Sequence, residues 1–111
     1  MPAPMTQEKQ TARRIFTYDE AAALLPEVRR LTEEAHRQVE ALHPRTEVES
    51  HIERIIVGWA EAVAAIGVEV KGLWLVDFDN GSGYYCWRYP EDGLHYYHSY
   101  EDGFRGRVRI Q

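Results

Sequence analysis

The sequence predicts an α+β domain, an antiparallel helical hairpin followed by a small antiparallel β-meander. Three observations carry this expectation. Two long stripes of apolar residues recur at spacings of three and four between Ala21 and Ile66, the signature of helices with one buried face. From Val68 onward the apolar pattern alternates, as it does in half-buried strands. Two clusters of turn formers, Asp79-Asn80-Gly81-Ser82-Gly83 and Pro90-Glu91-Asp92-Gly93, punctuate that second half.

At 111 residues the chain has room for one domain and one modest core. Residues 1–14 are polar, carry two prolines and lack apolar periodicity, so they read as a flexible tail, with residues 15–111 as the single domain. Thr17-Tyr18-Asp19-Glu20 has the form of a capping box, in which the threonine accepts from the amide three residues on and the glutamate reaches back. Phe16 stands where a hydrophobic staple would pack onto Ala21. The first stripe is Ala21, Leu24, Leu25, Val28, Leu31, Ala35, Val39 and Leu42. Pro26 falls inside it, removes one ladder bond, and predicts a kink or a delayed regular start. His43-Pro44 predicts the end, because a residue before proline avoids the helical region.

The second helix is expected from Glu47 to Ile66, with Val48, Ile52, Ile55, Ile56, Trp59, Val63 and Ile66 as its stripe and Gly67 as a left-handed stop. Val68 to Lys71 and Leu73 to Phe78 read as extended segments. Tyr84 to Tyr89, Leu94 to Tyr100 and a short piece from Phe104 to Ile110 complete the meander.

Composition excludes several function classes. A net charge of −5, from 13 basic and 18 acidic residues that are interspersed, argues against nucleic-acid binding and against a polybasic membrane patch. Cys86 is the only cysteine, so no intrachain disulfide can form. With no apolar leader and no membrane-length run, the chain reads as a reduced, soluble, cytoplasmic protein. Two helical stripes and a sheet face exceed what one thin domain can cover, which predicts a homodimer with no membrane partner.

The order of motifs resembles the uncharacterised prokaryotic family called domain of unknown function 2203. The matching pieces are FTYDEAAALLPEVRRL (Phe16 to Leu31), IGVEVKGLWLVDF (Ile66 to Phe78), YYCWR (Tyr84 to Arg88) and YYHSYEDGFRGRVRI (Tyr96 to Ile110). The family typically has Trp-His where this chain has Tyr97-His98, and its helices are often longer. The resemblance implies a compact bacterial or archaeal domain and no particular activity.

Candidate chemistry concentrates between Tyr84 and Arg107. His95 and His98 have odd separation, so on one strand they face opposite sides. His98, with Glu101 or Asp102, a cross-strand Asp77 and Cys86, offers imidazole, carboxylate and thiolate suited to zinc or iron. The competing account is a partly buried His98 bonded to a carboxylate or carbonyl. Glu33 and His36 have the i, i+3 spacing of helical di-iron sites, but a solvated helix face explains them better. Cys86 could act as a nucleophile with His98 as base, although a packed strand cysteine is the better account. Arg105, Arg107 and Arg109 alternate and, if extended, would line one face for an anion. The first functional expectation is therefore a non-catalytic binding or assembly module without a cofactor, in which His98, Arg105, Arg107, Trp87 and Tyr97 bind a ligand or partner on an aromatic and arginine-rich sheet surface. The alternative is a metal-binding protein or metal-dependent enzyme, with His98, Glu101, Asp77 and Cys86 holding Zn or Fe.

Overall fold

The computed structural model describes residues 14–42 and 48–111. Helix α1 spans Tyr18–Glu40 and helix α2 spans Val48–Ala65. Five strands follow: β1 Glu69–Gly72, β2 Leu75–Asp79, β3 Gly83–Arg88, β4 Tyr96–Ser99 and β5 Val108–Arg109. They form one sheet in the order β1-β2-β3-β4-β5, antiparallel throughout, with a single 3₁₀ turn at Phe104–Gly106 between β4 and β5. The helical hairpin and meander are thus present as the sequence pattern requires. Residues 1–13 of the expected tail 1–14 and the His43-Pro44 stop lie outside the described residues; Arg14 is placed, its guanidinium donating to the Ile66 carbonyl at 3.0 Å.

Helix α1 begins as the capping box dictates. The Thr17 hydroxyl accepts from the Glu20 amide at 3.1 Å, and the Glu20 carboxylate accepts from the Thr17 amide at 2.9 Å. Pro26 sits within the helix and does not delay its start. Phe16 is buried, meets Phe78 edge-on at 5.4 Å, and ties the entering chain to the sheet by donating its amide to the Asp79 carbonyl. Gly67 stops α2 at φ +90°, the left-handed conformation expected of it.

The two helices cover one face of the sheet. Val28, Val63, Val68, Val76, Phe78 and Trp87 form the centre of the core, with Trp59 and Leu94 at its margin. The helix pair is also pinned by a buried polar contact invisible in an apolar stripe. Thr32 donates to the Val28 carbonyl at 2.8 Å and accepts from the Trp59 indole N–H at 2.8 Å.

One expectation needs correction. Leu73 to Phe78 is not one extended segment, because Gly72 and Leu75 are paired across a tight turn and Trp74 takes φ +60°. No residue there has turn chemistry. Tertiary packing decides instead: the Trp74 ring meets Trp59 at 5.0 Å and His36 at 5.7 Å, and its carbonyl accepts from the Tyr89 amide. His36 is therefore not part of a solvated face, since its ring also lies 5.1 Å from that of Tyr89.

The Thr32–Trp59 contact predicts a specific loss. Thr32→Val keeps shape but strands the buried indole N–H, and should lower stability by about 1–3 kcal/mol. Thr32→Ser should retain most of it. Denaturant unfolding of the two variants checks this.

Candidate metal centre

Strand alternation places core and site on opposite faces. Val76, Phe78, Tyr85 and Trp87 point to the helices, whereas their neighbours Leu75, Asp77, Tyr84, Cys86 and His98 point away. Asp77 on β2 stands directly opposite Cys86 on β3. His98 on β4 stands opposite Tyr84, two residues from Cys86 and hence on its side of the sheet. One carboxylate oxygen of Asp77, the Cys86 sulfur and one His98 ring nitrogen all lie within 4.8 Å of one another. All three residues are buried: Asp77 is 2% and His98 4% exposed, and Cys86 is closed off entirely.

The hydrogen bonds define what these groups can do. His98 Nδ1 lies 2.8 Å from the Ser99 carbonyl, which only accepts, so Nδ1 carries a proton. His98 Nε2 lies 3.0 Å from Asp77 Oδ2. A lone pair on Nε2 and a carboxylate oxygen cannot face each other without a cation between them. The other carboxylate oxygen, Asp77 Oδ1, is buried and has no hydrogen-bond partner. Burial pushes the Asp77 carboxyl above its ordinary range, against the opposing pull of His98. Cys86 is pushed up to about 12, first by burial and then by the neighbouring Asp77 charge. That thiol is no nucleophile without further activation.

Lys71 closes one side of the cluster. Its Nζ lies 3.8 Å from Asp77 Oδ2 and 3.3 Å from Glu69 Oε1, and 4.1 Å above the Tyr84 ring. Burial works against its charge, but Tyr84 and Glu69 outweigh that and raise its pKa, so it stays an ammonium. A cavity of about 330 Å³ borders the three donors and is completed by Lys71, Leu75, Asp102, Gly103 and Phe104. Close approach of β3 and β4 sets the geometry, because a Cβ at Gly83 would come within 2.6 Å of the His98 carbonyl oxygen.

Of the residues singled out in the sequence, Asp77, Cys86 and His98 are brought together and the others are not. Glu101 is exposed and outside the cluster, while Asp102 borders the cavity and is held by Ser99, whose hydroxyl donates to its Oδ2 at 3.1 Å. His95 lies before β4 and pairs with Asp92 at 2.8 Å. Trp87 is fully buried and donates its indole N–H to the Glu91 carbonyl, so it presents no surface to a partner. Tyr97 is 43% exposed on the opposite, helix-side face. The three arginines share no open face: Arg105 lies in the 3₁₀ turn, and Arg107 is half-buried, ion-paired with Glu91 at 2.9 Å and stacked on Tyr96 and Phe104, each at 4.1 Å. Arg107 also reaches the Cys86 sulfur at 3.9 Å. Lys71 was not foreseen, because the irregular register between Val70 and Gly72 hides which face it takes.

A two-helix, five-strand antiparallel domain with a buried Asp-Cys-His cluster on its outer sheet face defines the kind of protein this is. The chain belongs to the family described as uncharacterized conserved protein (DUF2203), whose profile matches residues 44–110. The match takes in the whole sheet and α2, whereas the Phe16 to Leu31 segment lies outside it. No curated protein and no solved structure matches the chain. Among the described residues, no helix is long and apolar enough to cross a membrane.

The raised thiol pKa fixes a pH dependence. The folded chain keeps Cys86 protonated while the unfolded chain ionises it from pH 9.0, so its contribution is complete below pH 9.0 and is lost as pH rises toward about 12. In chelator-treated protein this loss should reach roughly a few kcal/mol, and Cys86→Ala should flatten it. Unfolding free energies across that alkaline range, compared between the two proteins, test the assignment.

Proposed function

We propose that this domain is a metal-binding protein whose ion is held by Asp77, Cys86 and His98. The observation that carries the reading is Asp77 Oδ1, a buried carboxylate oxygen with no partner. The competing arrangement is a proton shared between Asp77 Oδ2 and His98 Nε2 with the protonated Cys86 thiol turned to the Asp77 carboxylate, a weak donor for a buried oxygen. A divalent ion satisfies the carboxylate, the ring nitrogen and the sulfur together. The second contact of His98 supports the same reading: Nδ1 donating to a backbone carbonyl leaves Nε2 as the ligand atom and fixes the ring. One thiolate, one imidazole and one carboxylate suit zinc, and iron(II) takes the same donors less tightly.

The test is metal analysis of protein purified without an affinity tag, then zinc titration after chelation. One equivalent should bind. His98→Ala should lose binding by more than the roughly 10–100-fold that removal of an outer partner costs, with its helical circular dichroism retained. Correctly folded wild-type protein that takes up no zinc would sink the reading.

A second reading concerns assembly. Ile52, Ile56 and Val57 line an apolar depression of about 300 Å³ on α2, and Val57 is 46% exposed. The occupant that fits is a second copy, hairpin against hairpin in a four-helix layer, through the apolar residues that α2 leaves at the surface outside the core. Val57→Glu should convert a dimer to a monomer with unchanged circular dichroism. Light scattering that finds the unsubstituted chain monomeric at roughly tens of micromolar removes this reading.

A further inference from the structure

Structural zinc sites close the ion within four protein ligands, whereas sites with three protein donors keep a position for water or substrate. Among the described residues, the cluster here has three donors and no fourth. What borders it is the cavity of about 330 Å³, walled by Lys71, Leu75, Asp102, Gly103 and Phe104. Gly103 brings no side chain to that wall. Arg107 touches the Cys86 sulfur at 3.9 Å, but two hydrogen bonds of 3.1 and 2.9 Å tie it to Glu91 between aromatic rings, and it does not line the cavity. Asp102 is held by Ser99 and is exposed, so its charge is screened by water.

Charge points to the kind of ligand. A divalent ion with Asp77 carboxylate, Cys86 thiolate and neutral His98 forms a centre of zero net charge. Lys71 is the ammonium on the cavity wall, 3.8 Å from the donor Asp77. Its bonds to Glu69 and Tyr84 leave one of three N–H donors.

We propose that the ion keeps one exchangeable position facing this cavity, and that the position takes a small carboxylate ligand, one oxygen on the metal and the other accepting from Lys71. This rests on the metal reading above. It goes further in assigning an open site and a ligand class to a centre that could otherwise be purely structural. Lys71 is here a ligand-binding residue, and no bond is made or broken in the ligand.

Cobalt(II) loaded into the full chain in place of zinc separates the two claims. A thiolate-to-cobalt charge-transfer band that disappears in Cys86→Ser reports the metal site itself. Acetate added to the cobalt protein should then shift the ligand-field bands in a saturable way. Lys71→Met should keep the charge-transfer band and weaken acetate binding about tenfold, equivalent to ~1.4 kcal/mol. A cobalt protein with the charge-transfer band but ligand-field bands indifferent to acetate overturns the open position and leaves the metal reading standing. Folded protein with no charge-transfer band overturns both. An acetate affinity unchanged in Lys71→Met overturns the part given to Lys71.

Discussion

Asp77 is a carboxylate almost wholly withdrawn from water, and much of the outer sheet face is arranged by that fact. Removing a charged carboxylate from water costs several kcal/mol unless partners replace the lost hydration. One oxygen has such partners in His98 and Lys71. The other accepts no hydrogen bond, and that oxygen is what the proposed ion would satisfy. The register of three strands follows from this need. Asp77 stands opposite Cys86, and His98 lies across β3 from Asp77, so a slip of one residue in any of the three strands would turn its donor toward the helices.

The sheet separates two tasks with the simplest device available to a strand. Every second side chain of β2 and β3 enters the core under the helices, and the intervening ones build the polar cluster. Stability and chemistry therefore share a backbone but not a packing environment. The core needs volume and shape, supplied by Phe78, Trp87 and the valines around them. The outer face needs exclusion of water, and it obtains it from Tyr84, Lys71 and the Phe104 segment rather than from a second layer of secondary structure.

Much of this was legible in the sequence, for identifiable reasons. The capping box at Thr17 and the left-handed stop at Gly67 are local signals, and both are met. Asp77, Cys86 and His98 could be grouped because tight turns at Asp79–Gly83 and Pro90–Gly93 restrict the pairing of β2, β3 and β4. Three features escaped. The turn at Leu73-Trp74 has no turn residue and is imposed by Trp59 and His36 from a distance. Thr32 is a polar residue outside the apolar stripe, and nothing local marks it as the buried partner of Trp59. Trp87 and Arg107 read as surface residues in the sequence because aromatic and cationic side chains suggest recognition. One is core, and the other spends its charge on Glu91.

The covering segment has a consequence for motion. Between β4 and β5 the chain is anchored at its start by the two hydrogen bonds between Ser99 and Asp102, and further on by Arg107, held by Glu91 and clamped between Tyr96 and Phe104. Few buried apolar contacts back it up, whereas the helix-side core is continuous. Such a segment belongs to the low-stability end of a folded protein and can open as a unit while the remainder stays closed. Access to the buried donors is then a matter of breathing in the connection between β4 and β5, from Glu101 to Arg107. The rate at which that connection opens, and not diffusion through the body of the domain, would set how quickly an ion enters or leaves.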